Sequence, residues 1–464
     1  MIIRLVKSNI RNDFGQIISY FLILILSVWM LHTGLMILFG YGRLYAEKQV
    51  ELNGSDLVIR TLSDSAQEMA QLLRADTSIR DYERYEIVNK EVTYRPDGYE
   101  EGSKNGYAER ELNVLFEPYG EWGEIEAPGF VEQSAEEYDN PIYLSLYEKT
   151  NLGVELGDTF HCQISGKEYS FTIAGFFEQI ITGGMMEVAF VSPEQYNEWR
   201  EKLIKDMGNM GDMEYGIPYL YCVRLAGGEN DAAAGGELMT ELGNRGIMGY
   251  VVTHSMTVSQ YSYMQNIIAA ILSAFALVIT GVSLIIIYFK ISNSIEQNIT
   301  NIGALKALGY TSAQIRLSMV LEFTLTAAVA CAAGVGISYG TLPFLEPRLR
   351  HFAYMVWDYR FDPTALFLTV VLIVGAAMLV SFFGTKSIVA LDPVQALRFG
   401  LRAHSFRKNH FPIEATGGSL TWLLALKASV QNRKQNIMLV GLMLVVGFVS
   451  TFSVFLGYNT IYKK

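Results

Sequence analysis

Cysteine and histidine are scarce in this chain, and the motifs that usually carry metal or nucleotide chemistry are missing. Three cysteines in 464 residues cannot build a disulfide framework. Cys331 lies in an apolar run, which leaves Cys162 and Cys222 either as one bridge or as two small residues buried in strands. The six histidines, His32, His161, His254, His351, His404 and His410, lie far apart with no H-E-x-x-H and no Cys-His spacing, so no metal centre is written in the sequence. Glu136, Glu137 and Asp139 are acidic enough for a cation site but read first as a solvated loop. No G-x-x-x-x-G-K-S/T loop occurs, and Gly384, Thr385, Lys386 and Ser387 lack the glycine before lysine that a phosphate cradle needs. No cofactor is expected on the chain, and it is not expected to be an enzyme. No A-x-A-like cleavage site follows the first apolar run, which is also longer than a signal-peptide core, so it reads as a retained anchor.

Long apolar runs, by contrast, are abundant. Residues 17–39, 267–289, 317–342, 365–383 and 437–458 can each cross a hydrocarbon core of about 30 Å. A long polar segment separates the first two, and short connections separate the next three. The fold class expected is an α-helical transmembrane bundle of four spans, plus a fifth, with a large mixed α/β domain between spans 1 and 2.

Charge assigns the sides. Residues 46–262 hold 39 acids and 16 bases, a net of −23, while the rest of the chain holds 8 acids and 20 bases. Orientation follows Lys and Arg beside the spans. Arg4, Lys7 and Arg11 precede span 1, Lys290, Lys306 and Arg316 lie between spans 2 and 3, and Lys386, Arg398, Arg402, Arg407, Lys408, Lys427, Arg433 and Lys434 lie between spans 4 and 5. The N-terminus is therefore expected in the cytosol and residues 45–262 outside. Loop 346–362 is also outside, its Arg348, Arg350 and Arg360 offset by Glu346, Asp358 and Asp362.

Within the polar segment, strands are expected at 56–61, 85–94, 109–116, 159–164, 169–177, 187–191 and 219–225. Helices are expected at 65–73 behind Ser63, 193–207 behind Ser192, and 231–242. The turn-rich 96–106 and the Ser165-Gly166 pair make two hairpins, and 208–216 reads as a loop.

Between spans 2 and 3, Ile295, Ile299, Ile302 and Leu305 recur at helical spacing, Leu308 extends the stripe, and Gly309 suits a left-handed cap. A short amphipathic helix follows, either lying in the membrane interface or docking a cytosolic partner. In span 3, Ala327, Ala328, Ala330, Ala332, Ala333, Gly334, Gly336 and Gly340 form a run of small residues suited to close helix contact. His32, inside span 1, reads either as a functional ionisable group or as a neutral ring bonded to a neighbouring helix.

The segment Asn298-Ile299-Thr300-Asn301-Ile302-Gly303-Ala304-Leu305-Lys306-Ala307-Leu308-Gly309 resembles the motif after the second span in FtsX-like permeases of ABC transporters, the MacB-type or type VII class. The family carries an acid where Asn301 stands. Glu322 near the start of span 3, residues 388–398 (from Ile388 through Asp392 and Pro393 to Arg398), and outer residues 156–159 with 171–177 are similar to further parts of that family. The resemblance implies that Ile299, Ile302, Gly303, Ala304, Leu305, Lys306, Leu308 and Gly309 couple to an ATPase. Glu322, matched by the resemblance, and Gly334, Gly336 and Gly340 of the small-residue run are expected to serve transmembrane packing.

Lys427, Val430, Asn432 and Ile437 repeat Lys7, Ile10, Asn12 and Ile17 at a constant offset, as though a second module begins near residue 427. The domains expected are 1–44 (cytosolic N-terminal helix and span 1), 45–262 (extracytoplasmic MacB-like core), 263–400 (FtsX-like domain with spans 2–4 and coupling helix) and 401–464 (linker and span 5). The resemblance implies a permease in the bacterial cytoplasmic membrane, with a cytosolic ABC ATPase dimer, a second permease module or subunit and membrane lipids as partners, and no nucleic acid. ATP would be bound by the partner, and its hydrolysis would drive work outside on peptide, lipoprotein or lipid cargo. The alternative is an FtsX-like scaffold that regulates an envelope or cell-wall hydrolase. A sensor receptor is disfavoured because residues 385–436 are too short for a signalling domain.

Overall fold

In a computed structural model, the described residues are 14–61, 66–95, 109–182, 187–209, 219–227, 229–394 and 396, with scattered helical positions between 440 and 451. The fifth apolar run is thus described only at those positions. The 427–437 repeat, Ser63, His404, His410 and most of 208–216 and 96–106 lie outside the described residues.

The chain begins with α1 (Phe14–Glu51), β1 (Leu57–Thr61), α2 (Ala66–Ala75), β2 (Ile79–Glu86), β3 (Val88–Arg95) and β4 (Arg110–Pro118). It continues through β5 (Gly129–Gln133), β6 (Pro141–Ser145), α3 (Leu146–Leu152), β7 (Thr159–Ile164), β8 (Lys167–Glu178), β9 (Val188–Val191) and α4 (Pro193–Asn209). Then come β10 (Tyr219–Leu225), α5 (Asp231–Asn244), β11 (Gly249–Thr253), α6 (His254–Gln297), α7 (Ile299–Ala307) and α8 (Ser312–Ala353). The last helical stretch is α9 (Pro363–Val370), a π-helical turn (Val371–Gly375), α10 (Ala376–Gly384) and a 3-10 turn (Thr385–Ile388). Among the described residues, four helices are long and apolar enough to cross a membrane: Tyr20–Glu51, Gln265–Gln297, Ser312–Arg350 and Pro363–Ile388.

Two compact units emerge. One contains the helices up to Ile37, Ile268–Leu342 and the chain from Phe361; the other contains Leu38–Ile267 with Pro343–Arg360. Three of the four crossings fall inside α1, α6 and α8 rather than in loops.

The second unit holds two sheets. β11, β1, β10 and β2 form an antiparallel sheet in that order. Leu57, Ile59, Tyr221, Val223 and Val251 on one face meet Met69, Leu72 and Leu73 of α2 and Leu238 and Leu242 of α5. The second sheet runs β5-β8-β6-β9-β4-β3-β7, and the long β8 also pairs with β7, closing the sheet on itself. Its interior is filled by Val88, Phe116, Phe160, Phe171, Phe176 and Trp199 among others, with Phe116 edge-on to Trp199 at 4.7 Å. Closure through β8–β7 leaves β5, which among the described residues pairs only with β8, as the remaining edge of this sheet.

The expected hairpins are present. β3 pairs with β4 from Val88↔Phe116 to Tyr94↔Arg110, and β7 turns into β8 through Ser165 (φ 50°) and Gly166 (φ 79°), both left-handed as a two-residue turn requires. Ser192 Oγ accepts from Gln195 N at the start of α4. The single strand expected over 85–94 is instead two strands in different sheets, because the chain leaves the first sheet at Ile87. Four elements are not among those expected, β5, β6, α3 and β11, although Ser145 and Glu148 give α3 a capping-box spacing. Their short runs draw their apolar partners from distant strands. Cys162 is in β7 and Cys222 in β10; both are buried free thiols in separate sheets, so the bridge is ruled out.

Candidate functional site

α6 and α7 meet at Asn298, which departs from helical geometry (φ −100°, ψ 15°), and α7 begins without a side-chain cap. α7 ends at a fully formed left-handed motif. Gly309 has φ 95°, its N–H donates to Lys306 O at 3.1 Å, and Tyr310 N–H donates to Leu305 O at 3.1 Å. These two bonds satisfy carbonyls that a helix end leaves open.

The apolar stripe is divided. Ile295, Ile302 and Gly303 are buried, Ile299, Ala304 and Leu305 are half-buried, and Leu308 is 78% exposed. The inner half of the stripe anchors the helix and the last apolar side chain stands free. Lys306 does not join that free surface. Its ammonium donates to Ile388 O and Leu391 O, each at 2.7 Å, and so caps the carbonyls that follow the fourth apolar helix. Burial lowers the Lys306 pKa and Asp392 partly offsets this. Arg316 makes a parallel tie, donating to Phe382 O at 3.0 Å with its guanidinium 4.7 Å from the Phe382 ring. Asn301 is exposed and donates to Asn298 Oδ1 at 3.2 Å.

In the same unit, α1 is the element to which the other membrane-length helices bond. Ser27 Oγ donates to Ala276 O at 3.0 Å, Trp29 Nε1 to Thr341 Oγ1 at 2.9 Å, and Thr33 Oγ1 to Ser338 Oγ at 3.1 Å. His32 is fully buried, with Nδ1 3.2 Å from Thr369 Oγ1. That hydroxyl already donates to Ala365 O at 2.7 Å, so the network puts the hydrogen on Nδ1 and leaves Nε2 without a partner. Of the two readings of His32, the ring bonded to a neighbouring helix describes what is seen.

The small residues divide as well. A Cβ on Gly334 would lie 2.6 Å from Val28 Cβ, so α8 approaches α1 closely there. At Gly336 and Gly340 nothing lies within 4 Å of an added Cβ, so of the three glycines only Gly334 makes a close helix contact within the described residues. They lie on another side of α8. Glu322 is buried in α8. The close contact that sequence reasoning missed is Gly34, where a Cβ would meet Ser273 Oγ at 2.7 Å and Ala269 O at 3.2 Å. A lone glycine in a span gives no local signal of this.

Glu136, Glu137 and Asp139 are exposed, and among the described residues no cluster of metal-ligating side chains forms. Glu346 and Asp358 pair with Arg350 and Arg360 as expected, whereas Asp362 caps α9 through Thr364 N and Ala365 N, and Arg348 donates to Phe344 O.

A comparison with curated proteins gives no match. Against protein families, residues 273–393 match the one described as FtsX-like permease C-terminal. The matched region holds most of α6, the α7 end motif, the Lys306 tie and the fourth apolar helix. The chain thus combines four membrane-length helices and a mixed α/β region between the first two with a segment, residues 273–393, that matches the C-terminal domain of FtsX-like permeases.

Proposed function

We propose that this permease couples ATP hydrolysis by a separate cytosolic ABC ATPase dimer to work at the outer membrane face. The observation that carries the reading is Leu308. It stands 78% exposed at the end of a short helix whose own lysine is bonded to the end of the fourth span. An apolar side chain held out in this way suits insertion into a partner's groove, and Lys306 gives any push on α7 a direct route to residues 388–391. FtsX-like permeases generally work with such an ATPase.

The Lys and Arg distribution supports a cytosolic N-terminus and an extracytoplasmic α/β domain, with domain limits at 1–44, 45–262, 263–400 and 401–464. The chain passes between the two units within α1, α6 and α8, which supplies covalent paths to that domain. The cargo class is peptide, lipoprotein or lipid, and the permease itself holds no cofactor. A second permease module or subunit and membrane lipids would cover the apolar faces that α6 and α10 leave exposed, among them Leu277, Ile285, Leu379 and Phe383.

The test is Leu308→Asp, with Leu308→Met as its conservative partner. Leu308→Asp is expected to insert normally while losing ATPase copurification and stimulated hydrolysis by about tenfold or more, and Leu308→Met to keep both. Unchanged copurification and hydrolysis in Leu308→Asp would remove α7 as the coupling element.

A further inference from the structure

Residues Pro343–Arg360 comprise the last turns of α8 and most of its connection to α9, and they fold with the α/β unit. Three contacts hold them there. Tyr354, a non-glycine residue at φ 54°, sets its ring edge-on to Tyr147 of α3 at 4.5 Å and to Tyr261 of α6 at 5.1 Å. A left-handed tyrosine persists only where its surroundings enforce it. Trp357, 5% exposed, lies against Tyr41 at 5.1 Å and over Gly40, where a Cβ would fall 2.6 Å from the indole Cζ2. The third contact is polar. Val356 N–H donates to Glu178 Oε2 at 3.0 Å, while Glu178 Oε1 accepts from the Lys48 ammonium of α1.

We infer that Glu178 is the positioning residue of a latch that ties the α8–α9 connection and the end of α1 to strand β8. One buried carboxylate serves two separate stretches of chain, a cation from α1 on one oxygen and an amide from the connection on the other. Glu178 ends β8, the strand that pairs with β5, β6 and β7, so displacement of either stretch is delivered to the strand that closes the second sheet. The latch rests on the proposed reading that hydrolysis inside drives work in this domain, and it adds to the covalent paths a noncovalent one from the third and fourth spans.

Its chemistry makes an asymmetric prediction. Exchanging the charges, Lys48→Glu with Glu178→Lys, rebuilds the ion pair but leaves Val356 N–H facing an ammonium that cannot accept. The reporter is Met355→Cys, 2% exposed, in the full chain in membranes with Cys162, Cys222 and Cys331 replaced by Ala, probed with an impermeant maleimide. Exposed Asp358→Cys is the control for reagent access. Glu178→Gln is expected to raise labelling of Met355→Cys about tenfold, the size of effect that follows loss of a charged, buried hydrogen-bond partner. The charge exchange should leave labelling raised as well. Slow labelling in Glu178→Gln, or slow labelling restored by the exchange, would overturn the latch.

In cells, Glu178→Gln should keep ATPase copurification and hydrolysis yet fail to complement a strain lacking the permease. Full complementation would overturn its part in transmission, and loss of ATPase assembly would reduce Glu178 to a folding residue. Failure of the proposed function reads elsewhere, on Leu308→Asp, in a variant whose latch is intact.

Discussion

Both units bury hydroxyls, but they differ in how many carboxylates they bury. In the α/β unit, carboxylates are buried: Glu117, Glu126, Glu148 and Glu178 are each less than one-tenth exposed. Within the helical unit the buried polar side chains are mostly hydroxyls, Ser27, Thr33, Thr280, Ser338, Thr369 and Ser381. The reason is where free N–H groups exist. Loop and strand ends in the α/β unit offer several: Glu126 takes Ser55 N at 2.8 Å, Ile181 N at 2.6 Å and Thr182 N at 3.2 Å, plus Ser55 Oγ at 2.9 Å. A spanning helix consumes its own N–H groups, so its interior offers only carbonyls and side chains. Asp362 fits the rule, because it sits at the start of α9, where Thr364 N and Ala365 N are still free. Glu322 and Glu346, both buried within α8, are the exceptions, and Glu346 is paired with Arg350.

The largest effect expected from this contrast is a pH dependence confined to the α/β unit. Burial, with Glu126 nearby adding to it, pushes the Glu117 carboxyl up to about 8. The unfolded chain releases that proton near the ordinary glutamate value of about 4.3. Between about 4.3 and 8 the native state therefore holds a proton that the unfolded state has lost, and stability falls as pH rises through that window. Glu148 in the α3 capping box, also raised to about 8 by burial, contributes in the same direction. Glu117→Gln removes one of the two contributions. Melting measured from pH 5 to pH 8 should show a slope shallower by up to about 1.4 kcal/mol per pH unit, with the variant more stable than the parent at pH 7.5. An unchanged slope would mean that water reaches Glu117 in the folded domain.

The second prediction tests packing in the helical unit. Gly34→Ala forces a methyl against the Ser273 hydroxyl at 2.7 Å, the Ala269 carbonyl at 3.2 Å and Leu272 Cβ at 3.3 Å; the hydroxyl can rotate, but the carbonyl and Cβ yield only if the helix moves. A loss of about 1–3 kcal/mol is expected, read as a lower melting temperature in detergent. Gly336→Ala is the matched control in open space and should lose nothing. Equal effects at the two sites would erase the distinction between a contact glycine and a spare one.

Much of this was legible in the sequence. Run length located the four described spans, alternation and the Ser165-Gly166 turn gave the β7–β8 hairpin, and Gly309 marked the end of α7. These signals are local: they depend on a residue's own backbone preference or on neighbours one turn away. What escaped is set by distant partners. Ile87, where the chain changes sheets, looks like any strand residue. Gly34 matters only because Ala269 and Ser273 lie opposite. Lys306, grouped with the docking stripe by its position, turns inward because carbonyls more than eighty residues later need a donor. The segment around Trp357 reads as an ordinary outer loop, and its attachment to Gly40 and Glu178 has no counterpart in its own sequence.

The smallest effect expected is the most informative about the helical unit, and it is Ser27→Ala. Ser27 Oγ lies between Ala276 O and the hydroxyl of Thr280, and Thr280 donates to Ala276 O at 2.7 Å in its own helix. Removing Ser27 Oγ therefore strands no group: Thr280 keeps a partner and the carbonyl keeps a donor. If helices in this unit are held mainly by close packing, as Gly34 and Gly334 suggest, the loss should be near the average for a hydrogen bond between membrane helices, about 0.6 kcal/mol. A double-mutant cycle of Ser27→Ala with Thr280→Val isolates the pair. A coupling well above about 2 kcal/mol would put hydroxyl pairs on the footing of the buried carboxylates and remove the difference between the two units.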